Sequence, residues 1–204
     1  MLIRHALPVR RELDEGIADP ELSLAGLAQA QHLAEYLARE PIDALYSSPM
    51  KRALQTAAPL SADKGLDIEV VDGVAEWDRD SSEYIPMEEL KAAGDPRWQQ
   101  MMSGEVDMRD ETPESFRDRV VTAVESIIDA NPGRRVAVTC HGGVVNAYLS
   151  HVLGLAVNPG FFYPNYTSIH RVAASRGGHR SVVTINETAH LRGTGLPMGV
   201  VQQS

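Results

Sequence analysis

Apolar residues along the chain switch between two periods. Met1-Leu2-Ile3 is a short apolar run that stops at Arg4-His5 and reads as the end of a strand. Residues 6–22 hold Pro8, Gly16 and Pro20 with no sustained period, which predicts a long loop. From Ser23, which suits a helix N-cap, the apolar positions Leu27, Ala30, Ala34 and Leu37 recur three or four apart and predict a helix that Pro41 stops. Ile42–Tyr46 reads as a short strand. Ser48 as N-cap and Pro49 at the first helical position predict a second helix ending near Gly65, followed by a strand over Leu66–Val71. Thr112-Pro113 opens a further helix with Phe116, Val120, Val124, Ile127 and Ile128 on one face, and Asn131-Pro132-Gly133 ends it. Arg135–Cys140 reads as a strand, His141-Gly142-Gly143 as a turn and Val144–Leu153 as a helix. Ile169–Ala174 and Ser181–Asn186, joined across Gly177-Gly178, predict a hairpin. Residues 192–204 are expected as a loose tail.

Strands alternating with helices predict an α/β fold: a three-layer α/β/α sandwich with a mostly parallel central sheet and helices on both faces. The 204 residues suffice for one domain with a sizeable core. Residues 77–111 break the pattern. They are polar, hold Pro86, Gly94, Pro96 and Gly104, and predict a lid-like insertion with short helical pieces over a site. Parallel sheets build their sites where strands end and helices begin. Three polar clusters fall at such junctions: Arg4-His5, Ser48 to Arg52, and Cys140-His141-Gly142-Gly143. One histidine at a strand end is more often structural; two histidines and two arginines at the strand ends of one sheet point to a site.

Composition narrows the chemistry. The chain is 43% apolar and 23% charged, in the ordinary globular range. No apolar run approaches the length of a membrane span, and no basic stretch precedes an apolar leader core, so a cytoplasmic protein is expected. The single cysteine, Cys140, excludes an internal disulfide framework. A net charge of −9 disfavours nucleic-acid partners, and local arginines must carry the recognition of any small anionic substrate. The seven histidines include no His-Glu-x-x-His and no carboxylate–histidine spacing typical of a metal site, so neither metal nor cofactor is expected. Cys140 is followed six residues later by Asn146, not the Arg of a cysteine phosphatase, and Gly-x-Ser-x-Gly is absent. Cys140 is expected as a packed strand residue, and oligomeric state is left open.

The three clusters share one chemistry. Arginine presents a planar fork to phosphate oxygens, and a Gly-Gly turn before a helix offers N–H groups at the positive end of its dipole. Arg4, Arg52 and Gly142-Gly143 supply these parts. Neutral imidazole can attack phosphorus, and neighbouring arginines favour the neutral form by charge repulsion.

In this order and at these separations, "IRHA", "SSPMKRALQTA" and "TCHGG" resemble the histidine phosphatase superfamily, the phosphoglycerate-mutase-like proteins. "LSLAGLAQAQ", "NYTSIHRV" and "NETAHL" extend the resemblance over roughly Leu2 to Leu191. It implies a metal-independent phosphomonoester hydrolase acting on a small phosphorylated metabolite. On this resemblance His5 is the nucleophile and becomes a phosphohistidine, while Arg4, Arg52 and His141 bind the phosphoryl oxygens. A carboxylic acid after the third strand serves the leaving oxygen. By position that acid is Glu76 in "VAEWDRD", with Asp78, Asp80 and Glu83 as competitors.

The chain departs from the family pattern twice. Ala6-Leu7-Pro8 follows His5 where the family has a glycine and small polar residues, and Arg10 or Arg11 is a candidate to compensate. Only three residues precede Arg4, so weakened pairing of the first strand is expected. The alternatives are a phosphoglycerate-type mutase and a non-catalytic phospho-ligand-binding protein. The first is disfavoured by the missing polar residues after His5. The second is disfavoured by retention of Arg4, His5, Arg52 and His141. Selectivity is expected from residues 7–22, from 77–111 and from Phe161, Phe162 and Tyr163, with Asn165 and Tyr166 as weaker candidates.

Overall fold

Side chains on the central strands point alternately to opposite faces, and both faces are apolar, so helices must cover both. In the computed structural model, which describes residues 1–103, 108, 111–157 and 160–200 (at 101 and 102 the backbone only), this is the arrangement found. The strands are β1 (Leu2–Arg4), β2 (Arg11–Glu12), β3 (Ala44–Ser47), β4 (Ile68–Val70), β5 (Glu83–Tyr84), β6 (Val136–Cys140), β7 (Ile169–Ala174) and β8 (Arg180–Glu187). The helices are α1 (Leu24–Leu37), α2 (Lys51–Lys64), α3 (Met87–Ala93), α4 (Pro96–Ser103), α5 (Pro113–Ala130) and α6 (Gly142–Val152).

A six-stranded sheet runs β4-β3-β6-β1-β7-β8. The first four strands are parallel, and β7 is antiparallel to both its neighbours. Leu2, Tyr46 and Val138 face α5 and α6, packing with Phe116, Val120, Val124 and Leu149. Ile3, Leu45 and Ala137 face the other way, packing with Leu33 and Leu37 of α1 and Ala57 and Leu60 of α2. This is the expected mostly parallel sheet with helices on both faces. The predicted Ser23 cap forms, Ser23 Oγ accepting from Gly26 N at 3.0 Å, and at the expected start of α5 Thr112 and Ser115 cap the helix reciprocally.

Several expectations are corrected. The first strand is fully paired: β1 is in register with β6 from Leu2↔Val138 to Arg4↔Cys140, and Val138 N donates to Met1 O at 2.9 Å. Lying between two strands, β1 needs no greater length to be held. α2 starts at Lys51 with Met50 at the cap position, two residues later than Ser48-Pro49 predicts. Ser48 instead continues the end of β3, its N–H donating to Thr139 O at 3.0 Å. β4 is shorter than predicted because Leu66 and Asp67 still round the end of α2, with Leu66 N donating to Ser61 O at 3.2 Å. The loop over 6–22 is not structureless: β2 pairs antiparallel with β5 of the insertion, and Ala18 N donates to Ser81 O at 2.7 Å. Residues 192–200, expected as a loose tail, are tied down: Tyr166 N donates to Met198 O at 3.0 Å and Gln29 Nε2 to Pro197 O. Parts of the expected insertion and tail, 104–107, 109–110 and 201–204, lie outside the described residues. Among the described residues no helix is long and apolar enough to cross a membrane.

Candidate active site

β1, β3 and β6 are adjacent and parallel, so their carboxyl ends open side by side at one edge of the sheet. Arg4 and His5 leave β1 there, Arg52 lies in the first turn of α2 after β3, and His141 follows β6 as the N-cap of α6. All four are buried. The cleft above them, about 490 Å³, is lined by Arg4, His5, Arg52, Glu76 and Gly142 among others.

The arginines are fixed on one side and open on the other. Arg4 Nη1 donates to Pro164 O at 2.5 Å, and its guanidinium lies 4.3 Å from the Tyr166 ring centre and 4.9 Å from that of Tyr163. Arg52 Nη2 pairs with Asp78 Oδ1 at 2.7 Å, Nε donates to His141 Nδ1 at 3.3 Å, and Tyr84 covers its face at 4.7 Å. Arg4 Nε and Arg52 Nη1 are buried with no partner. A buried guanidinium N–H left unpaired is costly. Two of them lining one cleft, with their guanidinium faces against tyrosine rings, are donors that an oxyanion can take.

His5 Nδ1 lies 2.8 Å from Ala6 O. A carbonyl only accepts, so Nδ1 carries the proton and the Nε2 lone pair is free. Burial pushes the His5 imidazole well below its usual range, with Arg52 and Arg4 adding to the effect. His5 is thus held as a neutral imidazole with one ring nitrogen unprotonated, the form that can act as a nucleophile. His141 is also held neutral, first by burial and then by Arg52. Its Nδ1 accepts from Arg52, so its Nε2–H donates to Ser48 Oγ at 2.7 Å. The sequence places His141 as a phosphoryl ligand and Ser48 as a helix cap. In the structure both ring nitrogens of His141 are engaged by the protein, and Ser48 is its partner.

Glu76 follows a single 3-10 turn (Asp72–Val74) and is buried. Its Oε2 accepts from Gly143 N at 2.8 Å and its Oε1 from Trp77 N at 3.2 Å. Burial, reinforced by Asp78, pushes its carboxyl up to about 7 against the opposing pull of the Gly143 N–H and Arg52. The competing carboxylates are placed differently. Asp78 is bound to Arg52, Glu83 pairs with Arg97 at 2.9 Å, and Asp80 is largely exposed. Gly143 therefore spends its N–H on Glu76 rather than leaving it open, while Gly142 sits at the start of α6 beside Arg4. A Cβ on Gly143 would lie 2.3 Å from Glu76 Oε1, so Gly143→Ala must displace the carboxylate. We expect it to lower kcat/KM for ethyl phosphate by about tenfold and to spare p-nitrophenyl phosphate, whose leaving group needs no proton. Equal losses on the two esters would dissociate Gly143 from Glu76.

The segment after His5 is held by side chains of the helices, and neither candidate arginine is free to compensate for the missing polar residues. Ala6 N donates to Thr56 Oγ1 at 2.9 Å and Leu7 N to Gln29 Oε1 at 2.8 Å. Arg10 pairs with Glu12 and Glu89, and Arg11 with Glu21, so both are corrected to ion-paired positions on the loop. Tyr84 had no signal in the sequence, because a two-residue strand delivers it from the insertion onto Arg52. Tyr163 and Tyr166 act on Arg4 rather than only on selectivity. Cys140 is buried in β6, as expected. Among the described residues no group of three or more His, Cys, Asp or Glu is arranged to hold a metal ion.

Residues 1–188 match the sequence model of the histidine phosphatase superfamily (branch 1). Phosphoserine phosphatase 1 of Hydrogenobacter thermophilus is 28% identical over 198 residues, covering 94% of this chain and 93% of its own. Phosphoglycerate mutase-like protein 4 of Arabidopsis thaliana is 31% identical over 139 residues, covering 65% of this chain and 60% of its own. Among solved structures, a phosphoserine phosphatase mutant from Entamoeba histolytica in complex with phosphoserine superposes with a TM-score of 0.72 at 24% identity, covering 93% of this chain and 97% of that one.

Proposed function

Because the chain belongs to the histidine phosphatase superfamily, we propose that it is a metal-independent phosphomonoester hydrolase in which His5 carries the phosphoryl group between two half-reactions. The observation that carries this reading is the pair of buried arginines, each with an unpartnered nitrogen, flanking an imidazole whose Nε2 lone pair is free. The curated relative named a phosphoserine phosphatase supports a small phosphorylated substrate.

Arg4 and Arg52 hold the phosphoryl oxygens, and their charge serves the transition state without a further cation. His141 keeps Arg52 in place. His5 Nε2 attacks phosphorus as the ester P–O bond breaks, and Glu76 gives its proton to the departing alcohol oxygen. The Nδ1–H bond to Ala6 O orients the ring throughout. Glu76, now a carboxylate, takes a proton from water; the water oxygen attacks phosphorus, the N–P bond breaks, and phosphate leaves. Release to water is favoured over mutase transfer because a mutase must grip a second anionic group, and beyond Arg4 and Arg52 the one cation among the described cleft residues, Arg97, is paired with Asp95 and Glu83.

The test is hydrolysis of p-nitrophenyl phosphate with EDTA present. Activity is expected to survive the chelator. Arg52→Ala should lower kcat/KM by about a hundredfold, roughly the 3 kcal/mol of a preorganised donor. Loss of activity to EDTA, or near-normal turnover in Arg52→Ala, would refute the mechanism.

A further inference from the structure

Outside its cationic floor the cleft changes character. Its lining includes the apolar side chains Trp77, Ile85, Leu90, Phe161 and Phe162, the last two with ring centres 4.8 Å apart. The aromatic wall is fixed to the phosphoryl pocket by Asn146. Its Nδ2 donates to Gly142 O at 3.0 Å and Phe162 O at 3.1 Å, and its Oδ1 accepts from Phe161 N at 3.0 Å and Phe162 N at 3.3 Å. Asn146 is one turn above Gly142 on α6, so the wall and the floor share one rigid helix start.

Charge in the outer cleft is set against a second anion. Among the described residues that line it, Arg97 is the one cation beyond Arg4 and Arg52. Its charge is already paired with two acids: Nε and Nη2 donate to Asp95 at 2.9 and 2.7 Å, and Nη1 to Glu83 at 2.9 Å. Asp78 and Glu83 add negative charge to the same cleft. Among the described residues, a carboxylate on the leaving alcohol would meet outside the phosphoryl pocket only a cation already paired with acids.

We infer that the site selects phosphomonoesters of neutral, apolar alcohols, aromatic ones best, over esters whose alcohol carries a carboxylate. This rests on the phosphomonoesterase reading for turnover, but not for binding. The alcohol lies against the apolar lining of Phe161, Phe162 and Ile85, and its apolar surface is withdrawn from water as the phosphate reaches the arginines.

Two esters of alkyl alcohols separate the possibilities: 2-phenylethyl phosphate and 3-phosphoglycerate, neither activated for departure. Binding is read by titration calorimetry on the His5→Ala chain and kcat/KM on the parent. The phenylethyl ester is expected to lead in both by about tenfold; parity or reversal in binding would overturn the inference. Phe161→Ala should lower the ratio of kcat/KM for 2-phenylethyl over ethyl phosphate by about tenfold. Ile85→Ala, elsewhere in the same apolar lining, gives the same readout if the first variant does not fold, and an unchanged ratio in a folded variant counts against the pocket. Hydrolysis of p-nitrophenyl phosphate by the parent keeps the two readings apart. Tighter phenylethyl binding with no turnover of any ester refutes the enzyme and not the pocket; turnover with parity refutes the pocket and not the enzyme.

Discussion

His5→Ala is expected to lower kcat/KM for p-nitrophenyl phosphate by at least about ten-thousandfold, because it removes the atom that forms the covalent bond, not one that steadies it. Folding should hardly notice. His5 is buried and neutral, and its one side-chain hydrogen bond is to the neighbouring Ala6 carbonyl. Losing it should cost about 1 kcal/mol. A preserved melting transition with no turnover is therefore the expected pair of results. The parent, quenched during turnover, should carry phosphate that is stable to alkali and labile to acid, as a phosphoramidate is, and His5→Ala should carry none. Free imidazole should restore part of the activity of His5→Ala, since the vacated volume lies between the same arginines. Near-normal turnover in that variant would end the covalent reading. Intact activity loss without trapped phosphate in the parent would place His5 among the ligands instead.

The reach of the sequence followed the range of the contacts. Arg4-His5 and His141-Gly142 were legible because each is a local event, an apolar strand ending on polar residues before a turn. Arg52 was legible through its neighbours in one segment. What ties these together is long-range and left no local trace. Asp78 grips Arg52 across 26 positions, and Arg4 reaches the carbonyl of Pro164 across 160. Ser48-Pro49 carries the signature of a helix start, yet the Ser48 hydroxyl is taken by His141, and the helix begins at Lys51. β2 and β5 are two residues each, too short for an alternating pattern to show. Residues 192–200 have the composition of a tail, and only the fold brings Gln29 and Tyr166 to hold them.

Glu76→Gln should divide the reaction by leaving group and by pH. With ethyl phosphate the departing alkoxide needs a proton, so kcat/KM is expected to fall about a thousandfold. With p-nitrophenyl phosphate the first half-reaction should be nearly intact, while the second, which needs a base to activate water, slows. The variant should then release a burst of nitrophenolate equal to its active sites before turning over slowly. In the parent, Glu76 titrates at about 7, so kcat/KM for ethyl phosphate should decline above that pH as the acid form is lost. The variant should lack this limb. Any limb it keeps near pH 6 belongs to the second ionisation of the substrate phosphate. Stability separates the carboxyl's own titration from effects on substrate. A group raised from 4.5 in the unfolded chain to about 7 in the folded one leaves the native state holding more protons between those values. Its stabilising share is complete below 4.5 and is lost as pH rises through about 7. Glutamine never ionises, so the variant should gain stability relative to the parent between pH 5 and pH 8. A parallel pair of stability curves would mean that Glu76 titrates as an ordinary carboxylate. The alkaline limb of the parent would then belong to another group.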